Sequence, residues 1–366
     1  MAVGLPAKVS YANGDVFSAS DINDTNGTIN LIGQTNNFYA AKNKIINGNF
    51  ANWQRGTTFT PTSGTYTSDR WAMTSDGTGA TRTITRQTFT TGTAPVSGYE
   101  GQYYLRYNQS VAGITGTGNY LYNRIESVRT FAGQTVTLSF WAKADAARVV
   151  TLTLGQLFGS GGSPSAQVDT SLGSVTLTTS WVRYTASVAV PSISGKTLGT
   201  DGSDALQVLL TYPTNATMTI DLWGVQLESG STATAFQTAS GTIQGELALC
   251  QRYYSKSYAQ SATVPTNATT VGTQVSMAQA AVPTGSMFSL ITLPTTMRTA
   301  PTMVIYSYNT SQTGRVSDGG GTDLAAGSGN AAYVSDRVVG VNNNSGANIT
   351  PAGQHFLFHW SASAEL

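Results

Sequence analysis

The sequence predicts an all-β protein, a jelly-roll β-sandwich followed by a smaller C-terminal β domain, with short helices only in an N-terminal anchor segment and a linker. Two observations carry this. Gly is abundant at 39 residues, beside many Thr, Ser, Asn and 17 Tyr. Thr and Tyr suit pleated, half-buried surfaces, and Gly and Asn suit the positive-φ positions of tight turns. Apolar residues also recur with period two over strand-length stretches separated by Gly-rich turns.

The first 42 residues stand apart. Ser20-Asp21-Ile22-Asn23-Asp24 supplies an N-cap and first-turn acids, the usual opening of a helix. Ile22, Ile29 and Ile32 then form a short apolar seam. Such a stripe suits contact with neighbouring copies or a larger particle, and equally suits packing on its own domain.

Residues 43–240 read as the sandwich. Thr81–Gln87, Gln102–Asn108 and Asn119–Ile125 have strand character. Val136, Leu138, Phe140 and Ala142 share one face of a strand, and Val150, Leu152 and Leu154 repeat the pattern. Val182 to Val190, Leu206 to Tyr212 and Met218 to Leu222 complete about eight strands. Residues 241–256 break the alternation. Leu247, Cys250 and Tyr254 fall at i, i+3 and i+7 on one helical face, so this stretch is expected to be a helical linker. With the Ile seam, these three residues are candidate oligomer or anchor contacts. Residues 257–366 return to strands at Gln274–Ala281, Phe288–Leu293, Thr302–Tyr308, Ala332–Val341 and His355–Ala362, punctuated by Pro283, Pro294 and Pro301.

Charge excludes several function classes. Only 10% of residues are charged, and 19 Lys+Arg nearly cancel 18 Asp+Glu, for a net charge of +1. No basic stripe is available to neutralise phosphates, which argues against nucleic-acid and anionic-membrane partners. No apolar run is long enough to insert in a membrane, and no secretory signal is visible. A single cysteine, Cys250, excludes an internal disulfide. His355 and His359 sit four apart in a strand-like stretch, where that spacing does not bring two imidazoles together.

The motifs Asn47-Gly48-Asn49-Phe50, Trp53-Gln54-Arg55-Gly56 and Ser68-Asp69-Arg70-Trp71 resemble the opening of jelly-roll domains in bacteriophage fibre proteins. Those domains are similar in turn to carbohydrate-binding modules. Asp221-Leu-Trp-Gly-Val-Gln-Leu-Glu228 resembles the closing strand of the same family. Gly245–Tyr254 resembles the linker that follows it, and Leu293–Pro301 with Phe358–Leu366 resembles a C-terminal phage fibre domain. Gly14–Asn23 is similar to particle-attachment segments of virion proteins. The resemblance implies a virion-located structural protein, a homotrimeric tail or head fibre or spike. It would bind other virion proteins through its N-terminal segment and a host-surface glycan through its body. A capsid decoration protein and a polysaccharide depolymerase are the alternatives. Related carbohydrate-binding modules often hold a structural calcium, and Asn49 and Asp221 are the matching positions here; no other cofactor is implied.

The residues themselves offer little catalytic chemistry. The five glutamates (Glu100, Glu126, Glu228, Glu246 and Glu365) show no pairing of the kind a glycosidase needs. Most aspartates lie beside Gly or Ser, where side-chain-to-backbone bonds account for them. The expectation is a non-enzyme. Asp69 and Arg70, as neighbours, point apart, and each is expected to satisfy other groups while Trp71 enters the core. Glycan recognition needs aromatics beside amides and arginines. If the Leu-bearing faces of Gln102–Asn108 and Asn119–Ile125 are buried, Tyr104, Arg106, Tyr120, Tyr122 and Arg124 share the opposite face. That face is a sugar-binding surface or an interface with a sister subunit.

Overall fold

The computed structural model describes residues 42–75, 78–96, 98–114, 118–277, 281–349 and 355–366. The candidate anchor residues Ile22, Ile29 and Ile32 lie outside them. Twelve strands build the first part. They are β1 (Thr58–Phe59), β2 (Thr65–Tyr66), β3 (Trp71–Ser75), β4 (Thr81–Thr88), β5 (Tyr103–Val111) and β6 (Asn119–Glu126), then β7 (Thr135–Ala144), β8 (Arg148–Leu157), β9 (Val168–Leu177), β10 (Val182–Ala189), β11 (Ala205–Thr211) and β12 (Met218–Ser229). They pair as two six-stranded sheets, β1-β4-β5-β12-β7-β10 and β2-β3-β6-β11-β8-β9. Every pairing within them is antiparallel. Consecutive strands therefore often sit in different sheets, the crossing pattern of a jelly roll.

Period-two apolar positions make this arrangement stable. Leu138 and Phe140 of β7, Ile220 and Leu222 of β12, and Leu105 and Tyr107 of β5 project inward from the first sheet. They meet Leu121 of β6, Leu152 and Leu154 of β8, and Leu206, Val208 and Leu210 of β11. Removing this apolar surface from water is the main stabilising term. The opening motif is fastened to the closing strand by the main chain. Lys44 N donates to Leu227 O at 3.0 Å and Val225 N to Gly48 O at 2.9 Å. A Cβ on Gly48 would lie 2.1 Å from Val225 O, so only glycine allows this approach.

The expected linker helix is α1, Ile243–Gln251, whose N-cap Thr242 accepts a hydrogen bond from Gly245 N at 3.0 Å. It ends earlier than the sequence suggests. Tyr254 belongs to β13 (Tyr254–Lys256), not to the helix. The oligomer role expected for Cys250 and Tyr254 is corrected here. Cys250 is fully buried and Tyr254 nearly so within this chain, while Leu247 is half-buried. The remaining strands are β14 (Gln274–Met277), β15 (Met287–Thr292), β16 (Thr302–Ser307), β17 (Asn330–Ala332), β18 (Val338–Asn342) and β19 (His355–Ser363). The stretch read as one strand, Ala332–Val341, is two, because Ser335 Oγ caps a turn by accepting from Val338 N at 2.9 Å. β19 pairs with β13, β14 and β16, and β18 with β15 and β17. Ile291, Val339 and Val341 pack between these sheets against Ile305, Phe356, Phe358 and Trp360.

A polar joint connects the two parts. Arg70 is 1% exposed. Its guanidinium pairs with Glu365, donates to Arg124 O at 2.5 Å and stacks on the Tyr253 ring at 3.5 Å. Arg55 pairs with Glu365 at 3.0 Å and stacks on Tyr254 at 3.7 Å. Glu126 accepts from Arg252 at 2.7 Å and 2.9 Å and from Tyr253 Oη at 2.8 Å. As expected, Asp69 and Arg70 serve different partners. Asp69 accepts from Gln54 N at 3.1 Å and Gln54 Nε2 at 2.8 Å, and Trp71 is fully buried.

His359 is fully buried. It stacks on Tyr258 at 3.9 Å, with Nδ1 3.0 Å from Ser257 Oγ and Nε2 2.9 Å from Thr269 O. Among the described residues no group of three or more His, Cys, Asp or Glu could hold a metal ion. No described helix is long and apolar enough to cross a membrane.

Candidate functional site

The outer face of the β1-β4-β5-β12-β7-β10 sheet carries the richest surface chemistry. Inward and outward positions alternate, so burying Leu105, Leu222 and Ala142 turns Tyr104, Arg106, Asp221, Trp223, Trp141 and Lys143 outward. Register then sets the rows: Arg106 lies opposite Asp221, Asp221 opposite Lys143, and Trp223 opposite Trp141. Loop aromatics complete the surface. Trp223, Trp141, Phe89 and Phe236 form a small buried cluster, with Tyr99, Tyr104 and Trp181 half-buried around it.

Two adjoining hollows share Lys143. One, about 280 Å³, is lined by Thr88, Phe89, Thr90, Thr93, Tyr104, Lys143 and Trp181. Here the Tyr104 and Trp181 rings meet edge to face, 5.4 Å apart at 86°, and the Lys143 ammonium lies 5.5 Å from the Trp181 ring centre. The other, about 160 Å³, lies over Arg106, Lys143, Asp145, Thr179, Thr219 and Asp221. Arg106 grips Asp221 with two parallel bonds, Nε to Oδ1 at 2.7 Å and Nη2 to Oδ2 at 2.9 Å. That pairing raises the Arg106 pKa above its ordinary value. Asp145 is held by Arg148 at 2.9 Å and 3.0 Å, which lowers its pKa.

The expected single face of five residues is corrected by the topology. Tyr104 and Arg106 lie on β5 of this sheet, whereas Tyr120, Tyr122 and Arg124 lie on β6 of the other. All five sit at outward positions, but on opposite sides of the sandwich. The β6 set is also largely covered. Tyr122 is 5% exposed, and Arg124 donates to Gln207 Oε1 at 2.9 Å and Leu366 O at 2.5 Å.

Asn49 and Asp221 do not fit a calcium ion. Calcium takes six to eight oxygens and favours several carboxylates. Asp221 already faces two cations, Arg106 and Lys143, the latter at 3.6 Å. Asn49 instead donates to Tyr99 Oη at 3.3 Å. The strands such an ion would join are already bonded through Gly48 and Val225.

The sequence reading missed Lys143, Trp141, Trp181 and Trp223. Trp141 and Lys143 occupy the outward positions of a strand whose inner face was recognised, and a tryptophan at an outward position was the available signal.

No family model matches the chain, and no curated protein matches it. Solved structures do. A CBM4 module is 19% identical with a TM-score of 0.30, over 51% of this chain and 99% of its own. The CBM22-2 xylan-binding domain of Paenibacillus barcinonensis Xyn10C is 20% identical with a TM-score of 0.29, over 46% and 94%. The enzymatically active domain of Bacteriophage CBA120 tailspike protein 4 is 13% identical with a TM-score of 0.29, over 52% of this chain and 22% of that one. Each likeness extends over about half of this chain and carries no function with it.

Proposed function

We propose that the protein is a non-catalytic glycan-binding protein, and that it serves as a homotrimeric fibre or spike that attaches a bacteriophage to its host surface. The observation that carries the glycan reading is the Tyr104–Trp181 corner beside Lys143 and Arg106. Sugars present apolar ring faces edged with hydroxyls, and aromatic rings beside fixed polar groups are what bind them. Among the described residues Lys143 is the only charged one lining the larger of the two hollows, which favours a glycan with neutral or acidic units.

The carboxylates at this surface support a binding role over hydrolysis. Asp221 and Asp145 are both committed to arginines, whereas a glycosidase needs one acid protonated and a second free to attack or to activate water. The virion setting and the trimer rest on the resemblance of the Asn47–Trp71, Asp221–Glu228 and Phe358–Leu366 motifs to phage fibre proteins.

The test is titration calorimetry with host capsular polysaccharide and lipopolysaccharide. Trp181→Ala should weaken binding at least tenfold, about 1.4 kcal/mol, without changing the far-ultraviolet circular dichroism. Unchanged affinity would refute the site, and release of reducing ends by the parent protein would refute the non-catalytic reading. Light scattering that gives a monomer would refute the trimer.

A further inference from the structure

Another hollow on the sandwich lies away from that corner. It is a cleft of about 480 Å³ between the 49–52 turn, the segment 235–242 and the start of α1. We propose that this cleft is a second, separate binding site, one that takes a neutral sugar of one or two rings.

Size, lining and charge each point to that ligand class. The volume falls in the range that encloses a small molecule, roughly 300–1,000 Å³. One wall is aromatic: Tyr99 and Phe236 meet edge to face, 5.2 Å apart at 81°. Ile243, 84% exposed, extends the apolar rim. Amide groups stand beside these rings. The Asn52 main chain is engaged with Asn47 and Asp69, while its side-chain amide has no partner among the described residues. Asn49 is held only by long contacts, 3.3 Å to Tyr99 Oη and 3.4 Å from Ala51 N. A ligand hydroxyl can displace such bonds at little cost.

Charge separates this cleft from the Lys143 surface. Among the described residues no lysine, arginine or histidine lines it, and the one carboxyl there is that of Glu246. That carboxyl is 2% exposed and accepts from Asn47 N at 2.6 Å, Ser240 N at 3.1 Å and Ser240 Oγ at 3.0 Å. Its role is to tie α1 to the opening motif, and it leaves the cleft floor unfavourable to anions. Acidic sugars are thereby disfavoured in the cleft, whereas the Lys143 surface admits them. The two places share an aromatic foundation, running from Tyr104 to Phe89 (4.7 Å), Phe89 to Trp223 (6.1 Å) and Trp223 to Phe236 (4.9 Å). Their polar groups are nonetheless wholly distinct.

The experiment is saturation-transfer NMR and titration on the full chain with methyl α-glucoside, N-acetylglucosamine and lactose as probes. At least one should bind. Asn52→Ala and Tyr99→Ala should each weaken it tenfold or more, and Trp181→Ala should leave it unchanged. The surface variant Asn52→Ala guards against a folding defect in Tyr99→Ala. Absence of binding by all three sugars would overturn the proposal. So would binding that survives both cleft substitutions, or binding lost on Trp181→Ala alone. Because Trp181 lines the Lys143 hollow and not the cleft, whereas Asn52 lines only the cleft, the two substitutions together let either site fail without the other.

Discussion

Replacing Arg70 by methionine should destabilise the whole molecule through the joint between its two parts. The substitution keeps a long unbranched stem and does not add strain at a backbone already at φ 68°. It removes the pairing with Glu365, the bond to Arg124 O and the stacking on Tyr253. Breaking a buried ion pair by removing one partner costs about 3–5 kcal/mol, mostly from the charge left behind. Glu365 keeps Arg55 at 3.0 Å, so the loss should fall at the lower end, about 3 kcal/mol. At roughly 2.1 cal/mol/K of unfolding entropy per residue, a chain of 366 residues should lose about 4 °C in thermal midpoint. Urea unfolding followed by tryptophan fluorescence measures it, and a double-mutant cycle with Glu365→Gln isolates the pair. A coupling energy near zero, or an Arg70→Met midpoint equal to the parent's, would refute the reasoning.

Two further outcomes follow from buried and paired charges. Lys256 is 5% exposed, and burial pushes its pKa down to about 8 from 10.5. The unfolded chain therefore holds this proton more tightly, and stability should rise with pH from about 8 towards 10. Above pH 10 the buried phenols of Tyr66, Tyr253 and Tyr254, pushed up to about 12, act in the opposite direction. Urea midpoints from pH 7 to 10 should show the rise in the parent and lose it in Lys256→Met; a flat parent profile would contradict this. Because Asp221 is neutralised by Arg106 and Lys143, neither EDTA nor added calcium should move the thermal midpoint. A calcium-dependent increase in calorimetry would show that the ion displaces those cations.

The strands that the sequence revealed are those with one buried face. In β7, β8, β11 and β12 every second residue is apolar and enters the core, so period two is written in the chain. β9 was not visible for the opposite reason. As an edge strand of its sheet it alternates half-buried and exposed positions, and Val168-Asp-Thr-Ser-Leu-Gly-Ser-Val-Thr-Leu177 carries too little apolar contrast. β3 was hidden differently: Trp71, Ala72 and Met73 are all fully buried, which erases the alternation. The helix was legible from its 3.6-residue stripe. Its end was not, because Tyr254 continues the stripe while its backbone pairs with β19.

The candidate site shows where sequence periodicity stops being informative. Alternation correctly turned Tyr104 and Arg106 away from the core, since it fixes the side of a strand to which a residue points. It does not fix which sheet the strand joins. β5 and β6 follow one another in the chain yet enter different sheets, while β5, β12 and β7 are neighbours despite the more than one hundred residues between β5 and β12. The partners of Tyr104 and Arg106 are therefore Trp181, Lys143 and Asp221 rather than Tyr120 and Arg124. The same separation explains the joint. Arg55, Arg70, Glu126, Arg252 and Glu365 look like scattered surface charges in a chain with few of them. Folding gathers them where the two parts meet, and each finds an opposite charge there.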